Sequence, residues 1–187
     1  MAALALVPPA THVIGVDHQR EMIELFRTNA AARGATCETF EGVWPAIAVD
    51  VPRADVVTAH HVVYNVGDIS AFLDALNSHA RHRVVLELTR EHPLANMSGA
   101  WEHFWGLRRP SGPTSADLVD VLSEMGIAAQ HHSWSAQPRS EIDERKSAAF
   151  ARIRLCLDAS REDEVFEYFQ ENPLPLQRSL TTIWWDV

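Results

Sequence analysis

The sequence predicts an α/β fold built on a mostly parallel, twisted sheet whose last strand runs antiparallel. Three observations predict it. Short apolar runs alternate with helix-patterned segments along most of the 187 residues, which is the sequence form of strands joined by crossover helices. An early strand ends in an acid, Asp17, immediately before a helix. The chain finishes on a β-branched and aromatic run, Leu180 to Trp185. No ordinary crossover helix precedes that run, so it can lie antiparallel to its neighbours.

The elements follow in order. His12 to Val16 is the first clear strand, and a helix from about His18 to Arg33 places Met22, Phe26 and Ala30 on one face, with Gly34 as its C-terminal cap. Thr36 to Phe40 and Asp55 to Ala59 are the next strands, the latter running into His60-His61. Asp68 suits an N-cap, since Ile69, Phe72, Leu73, Leu76 and Ala80 follow at helical spacing. Val84 to Leu88 is nearly continuous in apolar residues, as a buried parallel strand is. Trp101, Phe104 and Trp105 share a helical face, read either as packing against the sheet or as a lid over an apolar substrate. Ser115 is expected to cap a helix bearing Leu118, Val121, Leu122 and Met125, and Ile127 to Trp134 a strand. Helical patterns over Glu141 to Leu157 and Arg161 to Glu171 form an insertion at about 139–176, before the last strand. The whole reads as one domain, 1–187.

Composition narrows the function classes. The net charge is −9 and no stretch gathers Lys and Arg, so nucleic acid is not an expected partner. No apolar run approaches the roughly 18 residues of a membrane span, so no membrane partner is expected. The opening Met1 to Val7 lacks a basic residue and soon meets Pro8-Pro9; it reads as a truncated element of the fold rather than a signal peptide. Cys37 and Cys156 are far apart in apolar surroundings. We read them as buried free thiols in a reducing, cytoplasmic setting.

Asp17 is the most informative residue. A carboxylate at the carboxyl end of a strand accepts both hydroxyl hydrogen bonds of a ribose without a competing donor. It also suits a simple cap for the following helix, and both readings stand. The glycine-rich turn that normally precedes such an acid is missing, because the first glycine is Gly15 and no GxG occurs anywhere. His60 and His61 are candidate catalytic bases, having an unperturbed pKa near neutrality. Adjacent strand residues point to opposite faces, so the pair is not expected to share a metal ion, and no metal site is expected. His131-His132 is given a structural or surface role. Arg108-Arg109 reads as solvated charge, with an anionic substrate as the alternative.

His12 to Asp17, then Glu41-Gly42-Val43-Trp44-Pro45, then Ala54 to Asp68 resemble the second to fourth motifs of class I S-adenosylmethionine-dependent methyltransferases. The likeness is strongest to uncharacterised actinobacterial-type members that share the His60-His61-Val62-x-Tyr64-Asn65-Val66 segment and the Trp184-Trp185 ending. It covers nearly the whole chain. The resemblance implies a Rossmann-like methyltransferase fold, S-adenosyl-L-methionine as cofactor and a small-molecule substrate. Asp17 would bind the ribose hydroxyls, His18 and Gln19 would line the adenosine, and Val43 and Trp44 would lie against the adenine. Trp44 before Pro45 also reads as a core plug. Many relatives carry an Asp near position 43, and Val43 lacks that polar contact. His60 would border the methionine end of the cofactor.

The family's strand order is 3-2-1-4-5-7-6. Asp17 then ends strand 2 and His60 ends strand 4, while the first strand and its glycine loop are missing from between them. Unpaired central edges are costly when buried. The expected solutions are a start further upstream, direct closure of the two strands, or a second copy filling the gap, making a homodimer possible. Two functions compete: methyl transfer to an unidentified acceptor, and a non-catalytic remnant serving as a binding or dimerisation module. A nicotinamide-dependent oxidoreductase shares the ribose acid but explains the terminal strand poorly.

Overall fold

The computed structural model describes residues 2–137, 143–175 and 177–187. It is an α/β structure in two compact units, one of Met1–Leu88, Val119–His132 and Thr182–Val187, the other of Thr89–Leu118 and Ser133–Thr181.

In the first unit β1 (His12–Asp17) pairs in parallel with β2 (Thr36–Glu41), and α1 (Arg20–Ala32) joins them. The helix turns Ile23, Phe26 and Ala30 inward. A Cβ on Gly15 would stand 2.8 Å from the Phe26 ring, so glycine is what lets α1 approach β1. Gly34, at φ +74°, ends the helix as expected.

β3 (Ala54–His60) pairs in parallel with β4 (Ala80–Thr89), connected by α2 (Ile69–His79). Asp68 caps α2 by accepting the Ala71 N–H at 3.0 Å. β4 starts four residues before the predicted Val84. Its early residues Arg81, His82 and Arg83 are exposed, and Arg81 and Arg83 hold Asp55 and Asp186 at 3.2 and 2.7 Å. Charged partners on neighbouring strands therefore extend a strand whose start is polar. Further on, Val84, Leu86 and Leu88 are buried, while Val85, Glu87 and Thr89 line the other face.

The last two strands are β5 (Gln130–Ser135) and β6 (Ser179–Asp186), and the four-stranded sheet has the order β3-β4-β6-β5. The end of β6 meets the start of β4 through Val187 N–H to His82 O at 3.0 Å. Its start meets the end of β4 through Arg90 N–H to Ser179 O at 2.9 Å. β6 is therefore antiparallel, and the sheet is mixed. β5 begins three residues later than predicted because Ile127 to Ala129 turn off the preceding helix, α4 (Ser115–Glu124), through Ile127 N–H to Leu122 O.

β1–β2 and β3-β4-β6-β5 are two separate sheets. β1 and β3 do not close directly onto one another. A single 3-10 turn, Ala2–Leu6, packs against both. Leu4 is buried with Val13, Phe26, Ala30 and Ala35, and its carbonyl accepts Arg33 Nη1–H at 2.8 Å.

The second unit is built on α3 (Ser98–Trp105), α5 (Glu144–Arg154) and α6 (Glu162–Glu171). Met97, Ala100, Ala148, Ala151, Leu155, Leu157 and Val165 make its core. The predicted insertion start at 139, its end at 176 and the predicted helix start at Glu141 lie outside the described residues. The cap of α4 is Thr114 rather than Ser115. Thr114 N–H donates to Asp117 Oδ2 at 2.7 Å and Asp117 N–H returns to Thr114 Oγ1 at 3.3 Å, a reciprocal box. The buried Ser115 hydroxyl instead meets Thr181 Oγ1 at 3.0 Å.

Both cysteines are free, but neither is fully buried: Cys37 is half-buried and Cys156 exposed. Leu155 and Leu157 turn inward on either side of Cys156, whose φ of 55° points its thiol away. Among the described residues, no helix is long and apolar enough to cross a membrane.

Candidate functional site

Two clusters at strand ends in the first unit hold the predicted residues. The first is at the end of β1. Asp17 Oδ1 accepts the backbone N–H of Gln19 at 2.9 Å, closing a tight turn, and lies 3.6 Å from His18 Nδ1. Gln19 occupies the N-cap position of α1 without a side-chain bond. Asp17 therefore shapes the turn ahead of the helix with one oxygen and does not cap it: the helix starts at Arg20 rather than His18, and the N-cap position falls to Gln19. No hydrogen bond from a described residue reaches Oδ2, and the side chain is 37% exposed.

The Gly42 N–H donates to the Asp17 carbonyl at 2.9 Å, extending the β1–β2 ladder and fixing Val43 next to the acid. A Cβ on Gly42 would lie 2.5 Å from Ile47 Cδ1 and 3.1 Å from its Cβ, so a side chain there would have to displace Ile47. Val43 is 63% exposed. Trp44 turns the other way. Its indole N–H faces the Phe72 carbonyl at 3.4 Å and its ring meets His79 edge-on at 4.9 Å, so Trp44 packs on α2.

The second cluster joins β3 and β4. His60 pairs in register with Glu87, and its Nδ1 lies 3.5 Å from Glu87 Oε1. His61 Nε2 lies 3.4 Å from the same oxygen. Strict alternation would have sent the two imidazoles to opposite faces. His61 has already left the strand: its φ is 57°, and its N–H donates to the Glu87 carbonyl at 2.8 Å. That left-handed turn brings both rings to one carboxylate.

Burial pushes the His60 pKa below its ordinary value. Glu87 opposes this and His61 adds to it. His60 is therefore neutral at physiological pH and carries a lone pair on one ring nitrogen. Among the described residues, no group of three or more His, Cys, Asp or Glu is arranged to hold a metal ion.

Sequence reasoning missed Glu87. Its signal was a lone carboxylate inside Val84-Val85-Leu86-Glu87-Leu88, a run read as apolar. In the second unit, Trp105 Nε1–H donates to the Leu155 carbonyl at 2.7 Å and Phe104 meets Tyr168 at 5.4 Å. These aromatics pack among α3, α5 and α6. Arg108 reaches Glu102 at 3.2 Å and Arg109 covers the Trp101 ring at 5.2 Å.

No family model and no curated protein matches the chain. Solved structures do. A protein of Bacillus halodurans C-125 described as a methyltransferase matches with a TM-score of 0.60 at 13% identity, over 98% of this chain and 85% of its own. The YcgJ protein of Bacillus subtilis matches at 0.58 and 19% identity, over 98% and 86%. Magnesium protoporphyrin IX methyltransferase of Synechocystis PCC 6803, solved with S-adenosylhomocysteine bound, matches at 0.55 and 14%, over 96% and 67%. At these identities the likeness is one of fold: the chain has the Rossmann-like fold of these proteins.

Proposed function

We propose that the protein is an S-adenosylmethionine-dependent methyltransferase acting on a small-molecule acceptor, in the cytoplasm. The observation that carries this reading is Asp17: a half-exposed carboxylate at the carboxyl end of β1, with Oδ2 unengaged by described residues and the Gly42-Val43 turn bonded beside it.

The adenosine end of the cofactor fits these residues. Asp17 Oδ2 suits a ribose hydroxyl, the exposed Val43 side chain offers an apolar edge to the adenine, and His18 and Gln19 adjoin both. Trp44 fits less well, because its indole is committed to α2. When bound, S-adenosylmethionine supplies an electrophilic methyl group on a cationic sulfur. The chain's own part is to hold the donor and acceptor in line and to take up a proton, for which His60 and His61 are the candidates.

Calorimetric titration of the full chain with S-adenosylmethionine tests this reading. Micromolar to sub-millimolar binding that is lost in Asp17→Ala supports it; equal binding by both forms overturns it. The second reading is a non-catalytic module that binds or dimerises, favoured by the absence of any GxG turn and by the engagement of Trp44. A monomer on gel filtration that binds the cofactor contradicts that alternative.

A further inference from the structure

The Glu87 carboxylate sits in β4 between two buried leucines, Leu86 at 0% and Leu88 at 2% exposure, and is itself only 21% exposed. A carboxylate so placed needs partners. Among the described residues no Lys or Arg reaches it. Its partners are the two imidazoles, His60 Nδ1 at 3.5 Å and His61 Nε2 at 3.4 Å, both on Oε1.

An ionised carboxylate only accepts hydrogen bonds, so it selects the tautomer of each ring. His60 then carries its proton on Nδ1 and its lone pair on Nε2. His61 carries the reverse. Burial keeps His60 neutral, so its ring carries a single proton.

We propose that Glu87 is a positioning residue that fixes His60 as a base with its lone pair on Nε2. This rests on the methyl-transfer reading above. As an acceptor oxygen forms its bond to the methyl carbon, its proton passes to His60 Nε2. The O–H electron pair stays on oxygen, and the pair of the breaking S–CH3 bond stays on sulfur.

The test needs no donor. Long-range nitrogen–proton NMR of the full chain reads the tautomer of His60 directly. The expected spectrum shows protonated Nδ1 and unprotonated Nε2 in the wild type, shifting toward the Nε2–H form in Glu87→Leu, which removes the acceptor. An Nε2–H tautomer in the wild type overturns the proposal, as does a tautomer unchanged in Glu87→Leu. The wild-type spectrum decides even if the variant fails to fold. Cofactor titration is scored separately: a chain with the expected tautomer that does not bind S-adenosylmethionine contradicts the methyl-transfer reading and leaves the Glu87–His60 pairing standing.

Discussion

The carbonyl oxygen of Asp17 accepts the backbone N–H of Gly42 at 2.9 Å, so the acid ending β1 and the turn ending β2 are one bonded unit. The Asp17 side chain uses Oδ1 for the Gln19 N–H and has Oδ2 to spare. Asp17→Asn keeps an acceptor for Gln19 but loses the charge. Charge-assisted hydrogen bonds contribute about 1.5–3 kcal/mol. S-adenosylmethionine binding should therefore weaken by about 10- to 150-fold while the melting temperature stays close to wild type. A matching loss of stability would mean that Asp17 is only a turn residue.

Acid should destabilise the protein through His60. Its folded pKa is lowered, chiefly by burial, so the unfolded chain binds more protons between that lowered value and the ordinary value of about 6.5. Stability is complete above that window and falls as pH drops through it. Melting temperatures at pH 7.5 and 5.5 should differ more for the wild type than for His60→Gln. Equal differences would remove His60 from the account.

Leu86 is fully buried beside Glu87. Leu86→Ala should cost about 2–5 kcal/mol of unfolding free energy, from lost transfer energy and the cavity left behind. Urea denaturation would show it as a lower midpoint at unchanged slope. A change under about 1 kcal/mol would mean that this part of the sheet collapses around the gap.

Trp185 is 3% exposed and donates its indole N–H to Asn77 Oδ1 at 2.8 Å, tying β6 to α2. Trp185→Phe leaves that acceptor unpaired and should cost about 1–3 kcal/mol. Asn77→Ala in the same background should add little, since the two changes remove one interaction.

Most of the strand and helix order was legible because its signals are local. Apolar runs, Asp68 three residues before the Ala71 N–H and Gly34 past the end of α1 each act within one turn of chain. The start of β4 was not, because Arg81 and Arg83 are held by Asp55 and Asp186, residues distant in sequence. In the candidate site, Asp17 was readable from its place at a strand end. The His60-His61 geometry was not, since period-two alternation fails where His61 turns left-handed. Glu87 was in plain view as a carboxylate among leucines, but only the β3–β4 register shows what it faces.

The most direct test of the methyl-transfer reading is an amide NMR titration of the full chain with S-adenosylhomocysteine. The account predicts saturable shifts centred on Asp17, Gln19, Gly42 and Val43, extending to His60 and His61. No shifts at millimolar ligand, or saturable shifts confined to residues far from these strand ends, would contradict it.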